Sequence, residues 1–114
     1  MLTIYHNPRC SKSRETLALL QQQPEPFEVV EYLNSPPDAA TLQAILQKIG
    51  ISARQLLRTK EDEYKQLDLQ NPALTDDQLI AAMIAHPRLI ERPIVVKGNS
   101  AAIGRPPSNI LALL

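Results

Sequence analysis

The order strand, helix, strand in the first third of the chain limits what it can fold into more than any other feature. Residues 2–6, Leu-Thr-Ile-Tyr-His, form a short β-favouring run, and a helix-forming stretch follows over about residues 11–22. Pro24 and Pro26 stop that helix, and Phe27-Glu28-Val29-Val30-Glu31-Tyr32 reads as a second strand. Two strands joined through a helix pair in parallel by a right-handed crossover.

The rest of the pattern extends that core. Ser35-Pro36-Pro37-Asp38 reads as a helix start: Ser35 can cap, Pro36 suits the first helical position, and Asp38 complements the positive helix end. Leu42, Ile45, Leu46 and Ile49 follow at helical spacing, and Gly50 ends the run. Residues 59–72 read as a polar surface excursion with a short helical piece. Thr75-Asp76-Asp77-Gln78 is a capping pattern that leads into Leu79, Ile80, Met83 and Ile84, and Pro87 closes that helix. Pro93-Ile94-Val95-Val96 and the stretch around Ala101-Ala102-Ile103 flank a turn signal, Lys97-Gly98-Asn99-Ser100, which predicts an antiparallel hairpin. Ile110, Leu111, Leu113 and Leu114 suggest a final short helix. The order β-α-β, several helices, β-β-α is the outline of an α/β thioredoxin-like domain with a mixed four-stranded sheet. On this reading residues 1–114 form one domain, with a helical insertion at about 35–88.

Several function classes drop out. A chain of 114 residues buries roughly two-thirds of its unfolded surface around one core, so it needs no disulfide scaffold, and its one cysteine could not build one. No run of apolar residues reaches the ~18 needed to span a bilayer, and no basic segment precedes a long apolar one at the N-terminus. The expectation is a cytoplasmic protein, not bound to a membrane, in a compartment where thiols stay reduced. Twelve basic residues balance twelve acidic ones, which argues against nucleic acid as a partner. Any anion must be caught locally, and no metal site is expected.

The lone cysteine lies in His6-Asn7-Pro8-Arg9-Cys10-Ser11-Lys12-Ser13-Arg14. If the helix begins at or just after Cys10, the sulfur sits beside unpaired backbone N–H groups and the positive end of the helix dipole. Arg9 and Arg14 add positive charge, and Ser13 lies on the Cys10 side of the helix, able to donate a hydrogen bond. Such surroundings favour thiolate, the nucleophilic form, and would also attract an oxyanion. Inert structural cysteines sit among apolar neighbours; this one occupies a polar, cationic strand-to-helix turn. His6 reads either as a strand-end residue making a structural hydrogen bond or as a group that biases the sulfur's ionisation. His86, before Pro87, reads as a helix-end residue without chemistry.

Residues 6–14 resemble the HNPxCxxSR motif of the glutaredoxin-coupled arsenate reductases. Leu56-Leu57-Arg58 resembles that family's first oxyanion arginine segment, Glu91-Arg92-Pro93-Ile94-Val95 its second, and Gly104-Arg105-Pro106-Pro107 its third. The resemblance implies Cys10 as nucleophile, Arg58, Arg92 and Arg105 as substrate ligands, and His6, Ser13 and Arg14 in support. It implies reduction of arsenate to arsenite without a bound cofactor: glutathione, a co-substrate, attacks the thiol adduct, arsenite leaves, and glutaredoxin clears the mixed disulfide. The X-Pro steps after Arg92 and Arg105 hold those backbones extended. Likeness to thioredoxin-like domains also makes Pro93 the candidate for a cis-proline before the third strand. Reductases with a Cys-x5-Arg loop and several cysteines are excluded, because Thr16 stands six residues after Cys10 and no second thiol exists. Ser13 likewise removes the second cysteine of a CxxC pair. Two alternatives stay open: a glutathione-dependent thiol oxidoreductase acting on another substrate, and a non-catalytic RNA-polymerase-binding regulator of similar fold.

Overall fold

Strand β1, Leu2–Tyr5, alternates as a half-buried strand should: Leu2 and Ile4 are fully buried while Thr3 and Tyr5 are partly exposed. The computed structural model describes residues 2–114. Helix α1, Ser11–Gln21, follows, and β2, Phe27–Val30, returns parallel to β1, with Leu2 opposite Phe27 and Tyr5 opposite Val30. The second strand is thus shorter than the six-residue run that suggested it; Val29 and Glu31 are exposed and only Tyr32 is buried beyond its end.

Strands β3, Ile94–Lys97, and β4, Ser100–Ile103, form the expected hairpin, with Gly98 at φ +57 in its two-residue loop. Strand β3 runs antiparallel to β1, so the sheet order is β2-β1-β3-β4. This is the mixed four-stranded sheet of a thioredoxin-like domain. The register aligns Tyr5 with Ile94 and Ile94 with Ile103. The chain therefore leaves β1, enters β3 and leaves β4 at one end of the sheet, and that end carries Cys10, Arg92 and Arg105. Leu2, Ile4, Leu20, Val95 and Ile110 form the core here, flanked by Leu17, Leu19 and Phe27. The expected C-terminal helix is a 3-10 helix, Pro107–Leu113. These elements, residues 2–35 with Arg92–Leu114, make one of two compact units.

The second unit, Pro36–Glu91, is helical. Helix α2, Ala39–Ile49, begins three residues later than a Ser35 cap suggests: Asp38 is the cap, accepting the Thr41 N–H at 2.8 Å. The physical reason is the proline pair, since a residue before proline is driven out of the helical region and both Ser35 and Pro36 occupy that place. Gly50, at φ +85, closes α2 in the left-handed conformation. Helix α3, Ala53–Leu56, carries a Ser52–Gln55 capping box that sequence reading passed over because one turn of helix has no periodicity to detect. Helix α4, Asp62–Gln66, is the short piece in the polar excursion, and α5, Asp76–Ala85, has the expected Thr75–Gln78 capping box. A 3-10 turn, Pro87–Leu89, leads to an antiparallel bridge between Leu57 and Ile90. Helix α5 packs on α2, α3 and that turn, burying Leu42, Ile45, Leu79, Ile80 and Met83.

Candidate active site

Cys10 is the N-cap of α1, with extended backbone at φ −97 and ψ 124, and it is a free, half-buried thiol. The turn that delivers it is closed by the Cys10 N–H on the Asn7 carbonyl at 3.0 Å and by the Arg9 N–H on Asn7 Oδ1 at 3.0 Å. Partial burial works against ionisation of the thiol. It is outweighed by the Ser13 N–H, the Arg92 guanidinium and the Lys12 N–H, all directed at the sulfur, so the Cys10 pKa lies below the ordinary thiol value. Arg105 adds a second guanidinium, with Nη1 3.7 Å from Sγ and 3.1 Å from the Arg92 carbonyl. Two guanidinium groups from the open end of the hairpin, one before β3 and one after β4, thus converge on one sulfur. Iodoacetamide should therefore alkylate Cys10 with an inflection below the ~8.5 of a free thiol. Since Arg92 favours the anion, Arg92→Gln should move that inflection upward; a rate that climbs only above pH 8 in the parent would contradict the geometry.

The other residues of the motif serve the turn. Ser13 Oγ is buried, lies 2.6 Å from His6 Nδ1 and accepts the Asn7 N–H at 3.0 Å. The hydroxyl of Ser13 is therefore spent on the loop, and what Ser13 offers the sulfur is its backbone N–H. With Oγ already accepting from Asn7, its proton is free for His6, and burial lowers the His6 pKa, against the charge of Glu31 and with that of Arg14. A neutral ring bonded to Ser13 is the strand-end structural role. Arg14 donates through Nη1 to the Pro8 carbonyl at 3.0 Å, fastening the same turn.

Arg58 belongs to the helical unit. Its N–H donates to the Leu89 carbonyl at 2.8 Å and its Nη1 to Glu91 Oε1 at 2.9 Å, while its buried Nε has no acceptor among the described residues. The Glu91 partner lies 33 residues away in sequence, so spacing gave no signal for it.

Gly104 was also missed as a positional residue. A Cβ there would lie 2.5 Å from Thr16 Oγ1 and 2.8 Å from Pro93 Cγ, and its N–H donates to the Pro93 carbonyl at 2.9 Å. Only glycine lets the segment carrying Arg105 lie this close to α1 and Pro93. Gly104→Ala should cost about 1–3 kcal/mol of stability through overpacking, read as a lowered denaturation midpoint. The Arg92-Pro93 bond is cis, as the sequence suggested for Pro93, and Arg105-Pro106 is cis as well. Among the described residues no three His, Cys, Asp or Glu side chains gather as a metal site would require, and no helix is long and apolar enough to cross a membrane.

The chain is similar to known proteins over nearly its whole length. The sequence profile of the ArsC family matches residues 5–113. An arsenate reductase of Neisseria meningitidis serogroup A is 51% identical over 114 residues, covering 99% of this chain and 97% of that protein. The uncharacterized protein YfgD of Escherichia coli K12 is 54% identical over 112 residues, covering 97% of this chain and 94% of its own. The solved structure of an arsenate reductase from Vibrio cholerae superposes with a TM-score of 0.96 at 49% identity, covering 99% of this chain and 97% of that one.

Proposed function

The chain belongs to the ArsC family, and from that premise we propose that it reduces arsenate to arsenite with Cys10 as the nucleophile. The observation that carries this reading is the pair of guanidinium groups, Arg92 and Arg105, on the Cys10 sulfur. Guanidinium forks match the oxygens of a tetrahedral oxyanion, and the same charges keep the attacking sulfur ionised. The thiolate bonds to arsenic as one arsenate oxygen leaves, protonated, as water. A glutathione thiol then attacks the adduct. The glutathione sulfur bonds to the Cys10 sulfur as the Cys10 S–As bond breaks, the electron pair of that bond stays on arsenic, and arsenite departs. Glutaredoxin reduces the resulting Cys10–glutathione disulfide. An external reductant accords with a chain that has one cysteine, and a reducing cytoplasm is the setting in which such a thiol works.

Arg58 is proposed as a further oxyanion ligand on its motif likeness alone. Two guanidinium groups aimed at a reactive sulfur favour catalysis over the regulator alternative. The test is steady-state arsenate reduction with glutathione and glutaredoxin supplied together and each omitted in turn. Turnover that needs both supports the proposal. No arsenate turnover, with glutathione-dependent disulfide exchange present, would transfer the assignment to a thiol oxidoreductase of another substrate.

A further inference from the structure

A cavity of about 300 Å³ opens beside the Cys10 turn, wholly within the sheet-bearing unit. One wall is the turn itself, with Asn7, Pro8 and Arg9; the other is the segment after β2, with Glu31, Leu33 and Asn34. Its volume is at the lower end of small-molecule sites. The two walls bear opposite charges, Arg9 on one and Glu31 on the other. Both residues are exposed, and neither is held in an ion pair among the described residues. Pro8 and Leu33 supply apolar surface between them, and the Asn34 amide adds a donor and an acceptor.

This chemistry differs from that at the sulfur. A plain oxyanion that suits Arg92 and Arg105 would meet the Glu31 carboxylate here and be repelled, and a plain cation would meet Arg9. A molecule carrying both a carboxylate and an ammonium satisfies both walls. The position matters too, because Arg9 immediately precedes Cys10 and Asn7 holds the Cys10 N–H. We propose that this cavity seats the reducing thiol, and that it selects thiols of amino-acid or peptide type, which carry an ammonium and a carboxylate together. The inference rests on the reading that an external thiol reduces the Cys10 adduct. It adds a site and a basis of selection: Arg9 takes the carboxylate, Glu31 the ammonium, and the arsenate cluster is left free.

S-methylglutathione, which keeps the charged groups of glutathione but cannot react, isolates the binding step. Its affinity should be measured by calorimetry or by amide chemical shifts for the parent, Arg9→Ala, Glu31→Gln and the control Glu28→Gln on the exposed side of β2. Saturable binding by the parent, matched by the control and weakened about fivefold or more in both cavity variants, is the expected result. Unchanged affinity in the cavity variants, or no binding by the parent at millimolar ligand, overturns the proposal. Glutathione-driven arsenate turnover by the parent is measured alongside. Turnover without cavity dependence removes this site and leaves the arsenate reading standing. Cavity-dependent binding without any turnover overturns the cavity's role as the seat of a reductant and the arsenate reading with it.

Discussion

Cys10→Ser should lower arsenate turnover by on the order of 10³-fold or more and leave the fold in place. The substitution exchanges one atom, but a serine hydroxyl stays protonated at neutral pH in the same surroundings that ionise the thiol. The Ser13 and Lys12 N–H groups and the Arg92 guanidinium, all directed at the sulfur, then have no anion to stabilise. The side chain is half-buried and caps α1 without a full side-chain bond, so the change in stability should stay within about 1 kcal/mol. Turnover measured with both reductants present, next to a denaturation curve, checks both halves. A variant that unfolds readily would instead mark Cys10 as a structural residue.

Arg92→Lys and Arg105→Lys should each lower arsenate turnover by about 10²-fold, the usual loss when one donor to a developing oxyanion is removed. Lysine keeps the charge but loses the planar fork that pairs with two oxyanion oxygens at once; in Arg105 a single nitrogen, Nη1, meets both the sulfur and the Arg92 carbonyl. Because charge is kept, the alkylation inflection of Cys10 should move far less than turnover does. That split separates oxyanion handling from thiolate stabilisation. Arg58→Lys tests the first arginine segment in the same assay. Arg88→Lys is the control, since Arg88 is 62% exposed and meets Glu61 and Glu63 only at 3.8 Å, pairs worth about 0–1 kcal/mol. Turnover in the three variants equal to that of the Arg88 control would remove the oxyanion assignment.

The strands were legible because alternation and turn chemistry are local: Leu2 and Ile4 bury on one face, and Gly98 takes the positive φ its loop demands. Cys10 was legible for the same reason, since a strand end, a polar turn and a helix start lie within ten residues. What failed to show depended on partners distant in the chain. Arg54 carries no motif, yet its guanidinium donates to the Leu69 and Asn71 carbonyls at 2.9 and 3.0 Å and braces the polar excursion. The requirement for glycine at position 104 comes from Thr16 and Pro93, which no local pattern links. Ser13 lies on the Cys10 side of the helix as expected, but the donor it turns to the sulfur is its backbone N–H and not its hydroxyl. The buried His6 ring and Asn7 N–H had the stronger claim, because a polar group left unpaired there would cost about 1–3 kcal/mol.

The convergence of β1, β3 and β4 at one end of the sheet has a consequence for the life of the chain before it is folded. Cys10 leaves the ribosome 95 residues ahead of Arg105. Their meeting requires β1 to pair with β3, a long-range closure that comes late in folding. A helix of 11 residues is marginal on its own, so its N–H groups cannot hold the sulfur ionised early either. The nascent chain thus carries an ordinary, protonated thiol that oxidants and electrophiles attack slowly. The surroundings that favour the thiolate are assembled only when the sheet is complete.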